Sequence, residues 1–201
     1  MMGLFTDTAL LHTGKKRYVD YPLPGTELRL WESFFDKPES DHYYQTFLAT
    51  IPWTQHCRKM YDKMVADPRL TAWYGRNGTH EWTPELLRIK EKIESSCGTS
   101  FNSVLLNYYR DGNDSVAWHS DTLPSAGRHY PIGSVTFGET RVFKVRHKNH
   151  KDRQWDIPLT HGSFLLMGET MQYHYEHHIA KTKRLIGPRI NLTFRISDKQ
   201  D

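Results

Sequence analysis

Polar and apolar residues alternate without a break through R-I-N-L-T-F-R near the end of the chain: Arg189, Asn191, Thr193 and Arg195 take every second position, with Ile190, Leu192 and Phe194 between them. A period of two predicts a strand with the four polar groups on one face and the apolar residues, continued by Ile196, on the other. L-L-N-Y-Y-R-D-G has the same habit, with Asn107 and Tyr109 facing one way and Leu106 and Tyr108 the other, before the turn-like R-D-G-N-D-S. From Phe101 onward, short runs rich in Val, Ile, Phe and Thr alternate with Gly-, Asp- and Asn-containing turns, the pattern of a jelly roll. Upstream the period changes. E-L-R-L-W reads as an opening strand, and Ser40 as the cap of a helix with Tyr44, Phe47, Leu48 and Ile51 on one face. A second helix starts at Thr83, with Pro84 in its first turn and Glu85 at the positive end of its dipole. Leu86, Ile89, Ile93 and Cys97 line one side of it, and Gly98 stops it. The fold class is therefore α+β, mainly β. A leader arm (1–26), a strand-and-helix region with a lid (27–100) and a jelly-roll core (101–201) form one domain.

Two guanidiniums, an amide and a hydroxyl on one strand face converge on a common target. Arginine forks fit carboxylates or phosphates, which points to a small anion held inside the fold. A solvated edge-strand face would instead carry Lys, Glu, Thr and Ser in mixed order. In W-H-S-D, His119 and Asp121 are two apart and project to one side of an extended segment, and a third ligand is on offer in Y-H-Y-E-H-H from His174, His177 or His178. Two imidazoles and a carboxylate form the facial triad of non-haem Fe(II) oxygenases, which leaves coordination positions open for a co-substrate and O₂. In a chain with 12 histidines an H-x-D pair arises easily by chance, so its weight comes from the neighbouring constellations. A zinc hydrolase would leave the anion-binding strand unexplained, and the chain has no H-E-x-x-H.

Cys57 and Cys97 are too few for the disulfide framework of a small secreted fold, which suggests a reducing interior. The apolar runs are too short to span a bilayer, and T-A-L-L-H-T-G lacks a signal peptide's basic leader and length. An intracellular soluble protein with no membrane association is the expectation, cytoplasmic or nuclear. A net charge of +4 permits nucleic-acid binding. Lys144, Arg146, His147, Lys148, His150, Lys151 and Arg153 form a basic hairpin-like segment, and Lys181, Lys183 and Arg184 follow soon after. Such groups track phosphate backbones, although solvated basic turns are also common. Lys15, Lys16 and Arg17 fit a loose terminal arm.

The ordered series N-Y-Y-R-D-G, D-S-V-A-W-H-S-D, P-I-G-S-V-T-F-G, L-T-H-G-S-F-L-L-M-G, Y-E-H-H-I-A-K and P-R-I-N-L-T-F-R resembles the AlkB family of Fe(II)- and 2-oxoglutarate-dependent nucleic-acid dealkylases, nearest to the branch of the human DNA and RNA repair homologues. The likeness reaches back through P-R-L-T-A-W-Y-G and covers about Ile51 to Ile196. It implies a double-stranded β-helix core braced by the helices, with His119, Asp121 and His177 as iron ligands and His174 and His178 turned away. It also implies a 2-oxoglutarate pocket of Asn107, Tyr109, Arg189, Asn191, Thr193 and Arg195, in which Arg189 and Tyr109 take the distal carboxylate and Arg195 and Asn107 lie nearer the metal. The implied reaction spends O₂ and 2-oxoglutarate to oxidise an alkyl group on a base nitrogen of single-stranded or flipped-out DNA or RNA. The protein would act as a monomer. Trp53 and Tyr74 are candidate lid contacts, with core packing the alternative for both. Two departures stand out. Thr122 and Leu123, beside the base, replace further carboxylates of close relatives, and R-N-G-T-H-E-W shortens the lid after A-W-Y-G. A 2-oxoglutarate oxygenase acting on a protein side chain or small molecule, and a non-catalytic nucleic-acid-binding module, are the alternative readings.

Overall fold

The structure, a computed structural model, describes residues 18–60, 62–121 and 130–198; Lys15, Lys16 and Arg17 lie outside them. In chain order the elements are β1 (Val19–Asp20), β2 (Leu28–Trp31), α1 (Lys37–Thr50), β3 (Cys57–Met60), β4 (Lys63–Ala66), β5 (Leu70–Gly75), α2 (Pro84–Cys97), β6 (Ser103–Tyr109), β7 (Val116–His119), β8 (Ile132–Gly138), β9 (Arg141–His147), β10 (Gln154–Leu159), β11 (Ser163–Met167), α3 (Met171–His174), β12 (Tyr175–Ile179) and β13 (Arg189–Arg195). They build a seven-stranded sheet in the order β1-β2-β11-β8-β13-β6-β5 and a four-stranded sheet in the order β10-β9-β12-β7. This is the jelly roll that the strand pattern predicts. Strands β2 and β5, which precede residue 101, belong to the larger sheet, so the core draws on the N-terminal region as well.

Strand β13 is a central strand, paired antiparallel with β6 and β8, which removes the solvated-edge alternative for its polar face. Its apolar side packs outward under the helices, where Ile190, Leu192 and Phe194 join Phe47 of α1, Leu86, Ile89 and Ile93 of α2, and Val104 and Leu106 of β6. Burying one such side chain is worth about 1.5–3 kcal/mol. A second cluster, including Leu30, Tyr109, Val145, Ile157, Leu165 and Tyr175, fills much of the space between the sheets. The polar side of β13 faces that inter-sheet space, and the chemistry collects there.

Helix α2 follows its sequence pattern from cap to stop. Thr83 Oγ1 accepts from Leu86 N at 3.3 Å, and Gly98 closes the helix at φ +71°. The cap of α1 differs from the expectation: Asp36, not Ser40, starts the helix. Asp36 Oδ1 accepts from Glu39 N at 2.8 Å while Glu39 Oε2 accepts from Asp36 N at 3.2 Å, a reciprocal capping box with Pro38 in the first turn. Ser40 sits one turn further in, fully buried.

The β3–β4 hairpin stands apart from both sheets. Its base is stitched by Asp67 N donating to His56 O at 2.8 Å and by a bridge between Thr54 and Thr71, and it exposes Met64 and Val65. The sequence pattern gave no sign of it. At the end of β8, Gly138 adopts φ +89°; a Cβ there would lie 2.5 Å from Pro188 O, which accepts from Glu139 N at 2.9 Å. That close approach brings β13 into register at Arg189. Among the described residues no helix is long and apolar enough to cross a membrane.

Candidate metal and anion site

Register brings the first two metal-ligand candidates together. His177 of β12 lies directly opposite His119 of β7, with ring centroids 4.4 Å apart. Asp121 follows two residues past the end of β7, and one ligand atom from each of the three lies within 4.8 Å of the others. Each candidate is held by its own contacts. His119 Nδ1 lies 2.7 Å from Ala117 O; donating to that carbonyl leaves Nε2 as the lone-pair nitrogen, 3.8 Å from Asp121 Oδ1. Asp121 N donates to Gln172 Oε1 at 2.8 Å, and Ser120 Oγ donates to Tyr175 O at 2.8 Å, so the turn after β7 is tied to the segment leading into β12. Buried Arg141 spans the far ends of the same two strands, donating to Asp111 O, Asp114 O and Ala180 O at 2.6–3.2 Å.

The electrostatics suit a cation. Burial pushes the Asp121 carboxyl upward, but Arg195, His177 and His119 outweigh it and hold the group below the usual range, with Arg195 Nη2 donating to Oδ1 at 2.7 Å. Burial pushes His177 down to about 4 despite Asp121, so its imidazole is neutral at physiological pH, as a metal ligand must be. Among the described residues His177 Nδ1 is buried without a hydrogen-bond partner. His178 turns the other way and stacks on Trp118, and His174 is exposed at the end of α3.

A cavity of about 230 Å³ opens beside this cluster, lined by polar groups of three adjacent strands. Cross-strand pairing sets Tyr109 opposite Arg189 and Asn107 opposite Asn191. Arg189 is 1% exposed; Nη2 donates to Thr136 Oγ1 at 2.9 Å, and among the described residues Nε and Nη1 have no hydrogen-bond partner. Burial pushes its guanidinium down to about 10, against the pull of Tyr109, whose ring lies 5.2 Å from Cζ. Asn191 Nδ2 donates to Ser134 Oγ at 2.8 Å and Thr193 Oγ1 to Asn191 Oδ1 at 3.2 Å, while Asn107 Oδ1 accepts from Arg69 Nε at 2.8 Å. Isolated buried charges are strongly disfavoured. A buried guanidinium lining a cavity, with two unsatisfied nitrogens and no carboxylate partner among the described residues, suits an anion.

The structure thus brings together His119, Asp121 and His177, and around the adjoining cavity Asn107, Tyr109, Arg189, Asn191, Thr193 and Arg195. The lid candidates fare differently. Tyr74 is 4% exposed in the core, 5.0 Å from the His80 ring, and does not line the cavity: its place on β5 turns it toward the helices. Trp53 is half-buried and packs 5.2 Å from Tyr108, also away from the cavity. Thr122 and Leu123 lie outside the described residues. Sequence reasoning gave no role to Arg69, Arg141, Gln172, Ser134 or Thr136. The alternation of G-S-V-T-F-G was a usable signal for Ser134 and Thr136.

A His/Asp/His cluster set between the sheets of a jelly roll has the donor set of a mononuclear metal site, and the cavity beside it, lined by Arg189, suits an anion. The profile of the 2OG-Fe(II) oxygenase superfamily matches residues 27–195. Alpha-ketoglutarate-dependent dioxygenase alkB homolog 3 of Bos taurus is 39% identical over 184 residues, covering 83% of this chain and 64% of that protein; its Homo sapiens counterpart is 38% identical with the same coverage. DNA oxidative demethylase ALKBH2 of Homo sapiens is 31% identical over 182 residues, 80% of this chain and 70% of that protein. The chain belongs to the 2OG-Fe(II) oxygenase superfamily and, within it, to the AlkB family. It spans 64% of the length of the alkB homolog 3 proteins. The solved structure of OsALKBH1 shares the fold, with a TM-score of 0.66 at 18% identity over 90% of this chain and all of that one.

Proposed function

We propose that this protein is an Fe(II)- and 2-oxoglutarate-dependent dioxygenase that oxidatively removes N-alkyl groups from bases of single-stranded or flipped-out DNA or RNA. One observation carries the co-substrate assignment: the buried Arg189 guanidinium with two unpartnered nitrogens, facing the cavity that ends at the His/Asp/His cluster. His119, Asp121 and His177 would hold the iron, and the neutral imidazole of His177 with the ionised carboxylate of Asp121 fit that role. Arg189, with Tyr109 and Thr136 beside it, would clamp the distal carboxylate of 2-oxoglutarate in a fork geometry. Asn191 and Thr193 line the cavity wall between the two ends, and Arg195 steadies Asp121.

Iron with bound 2-oxoglutarate supplies the oxidising chemistry, coupling decarboxylation of the co-substrate by O₂ to insertion of oxygen into a C–H bond. The protein's part is orientation. Gln172 and Arg195 fix the Asp121 backbone and side chain, Ala117 O fixes the His119 tautomer, and Arg189 keeps the diacid in one direction. A hydroxylated N-alkyl group then breaks its C–N bond and leaves as an aldehyde. The base must be unstacked to reach the site. The AlkB relatives support this substrate class.

The test is anaerobic loading with Fe(II) and 2-oxoglutarate, admission of O₂, and mass spectrometry of N-methylated single- and double-stranded oligomers alongside succinate release. Demethylated oligomer with stoichiometric succinate is the expected result. Succinate released only with peptide or small-molecule substrates would move the activity elsewhere. Asp121→Ala should abolish turnover and lose Co(II) binding followed by absorbance. It should also destabilise the apo protein by about 1.5–3 kcal/mol, because Arg195 loses a charge-assisted hydrogen bond. Full activity in that variant would refute the ligand assignment.

A further inference from the structure

A second cleft, of about 400 Å³, opens along β7 beside the catalytic cavity, between the Pro68–Arg69 corner and the end of β12. It shares Arg69, Val116 and Ile179 with that cavity, so a single layer of side chains separates the two. Its charge has one sign. Arg69 and Lys181 line it, no carboxylate does, and neither cation forms an ion pair among the described residues. Arg69 uses Nε on Asn107 Oδ1 at 2.8 Å and contributes to the field that holds Asp121 ionised, so it stands between the two spaces.

The floor of the cleft is aromatic. His178 stacks on Trp118 at 3.8 Å with 18° between the planes, and Arg146 Cζ lies 3.9 Å from the same indole, anchored by Glu176 at 2.6 Å. Trp118 thus already carries two partners, and His178 is the ring left to meet a ligand. Its Nε2 is buried without a hydrogen-bond partner among the described residues. Among the described residues, strand β7 is also the last strand of its sheet, and none of their strands lies beyond this edge.

We propose that this cleft receives the nucleotide flanking the target base on the same single strand, with its phosphate between Arg69 and Lys181 and its base against His178. The proposal rests on the nucleic-acid reading above and extends it by giving the strand a route over the β7 edge. A flat ring beside paired cations is how proteins hold single strands without reading sequence, through stacking and phosphate neutralisation. An uncharged or apolar occupant would leave both cations unpaired. A strand bound this way places one nucleotide on each side of Arg69, which links occupancy of the cleft to delivery of the neighbouring base.

The experiment uses the metal-free full chain and fluorescence anisotropy with a labelled N-methylated pentanucleotide, titrated at several salt concentrations. Lys181→Glu alters an exposed side chain, and Ala117→Trp fills the cleft from an exposed position without changing charge. Both variants should weaken pentanucleotide binding about fivefold or more. Lys181→Glu should also lower the slope of log K against log salt by about 0.7, the value for one phosphate contact on a single strand. Lys181→Arg should restore wild-type affinity. In the loaded Lys181→Glu enzyme, KM for the pentanucleotide should rise while KM for the methylated nucleoside monophosphate stays put, a split that general misfolding would not give. Wild-type affinity and slope in both Lys181→Glu and Ala117→Trp would overturn the cleft assignment alone. A wild-type chain that binds no oligonucleotide would overturn the nucleic-acid reading with it. Weakened binding of an acidic peptide, with oligonucleotide binding intact, would assign the cleft to a protein partner and also overturn the proposal.

Discussion

Replacing Arg189 by Met should make the ligand-free protein more stable and leave it unable to hold 2-oxoglutarate. This guanidinium is 1% exposed, donates a side-chain hydrogen bond to Thr136, and is pushed by burial well below its ordinary value, down to about 10. At about 1.4 kcal/mol per pH unit, that shift corresponds to a folded-state penalty of about 3 kcal/mol. The sign follows from proton binding. The folded chain holds this proton less tightly than the unfolded chain, so the penalty is full at neutral pH and fades only as the pH rises past 10. Against it stand the lost Thr136 hydrogen bond, about 1 kcal/mol, and some lost packing. The net is a gain of about 1–2 kcal/mol in urea unfolding of the apo protein, or about 2–4 °C in Tm per kcal/mol for a chain of this size. The gain should reverse when ligand is added. At a hundredfold excess over Kd, 2-oxoglutarate stabilises the wild type by about 2.7 kcal/mol, whereas the variant, having lost a buried ionic partner, should show no shift at the same concentration. An apo variant several kcal/mol less stable than wild type, still stabilised by 2-oxoglutarate, would show that Arg189 is satisfied within the protein and that the anion argument is wrong.

Two further outcomes can be read in the same assay. The apo protein should lose about 3 kcal/mol as the pH falls from about 6.5 to 4, because the unfolded chain protonates His177 before the folded one does; His177→Phe should flatten that slope. Asp121, whose folded pKa is lowered, contributes stability above its unfolded value that is lost on further acidification. At the other end of the molecule, Asp36→Ala should cost about 0.5–2 kcal/mol by removing the capping box of α1, with no change in 2-oxoglutarate affinity.

The parts of this molecule that a sequence shows well are those governed by local periodicity. Arg189 to Arg195 could be assigned to one face because a strand has no other way to dispose of them, and α2 could be bounded from Thr83 to Gly98 by the chemistry of its caps. For α1 the same logic slipped by one turn: Ser40 is an acceptable cap by type, but the D-x-x-E pair of Asp36 and Glu39 satisfies two backbone groups at once and wins. Tyr74 and Trp53 were ambiguous because a large aromatic serves a core as readily as a binding surface; the direction of β5 decides for Tyr74, and the contact with Tyr108 for Trp53. The roles of Arg69, Arg141 and Gln172 were out of reach for a different reason. Each acts on backbone or side-chain atoms far along the chain, and no spacing rule encodes a partner 27–51 residues away.

The pairing of His119 with His177 also bears on how the protein holds itself together. Among the described residues strand β7 has β12 as its sole neighbour in the smaller sheet, and their register is interrupted between His177 and Ile179. A metal ion gripped by both histidines would rivet this peripheral strand to the body of the barrel at the point where hydrogen bonding is sparse. Iron would then be a fastener as well as a reagent. Chelation should let β7 fray, seen as faster amide exchange from Val116 to His119, before any other strand of the sheet loosens.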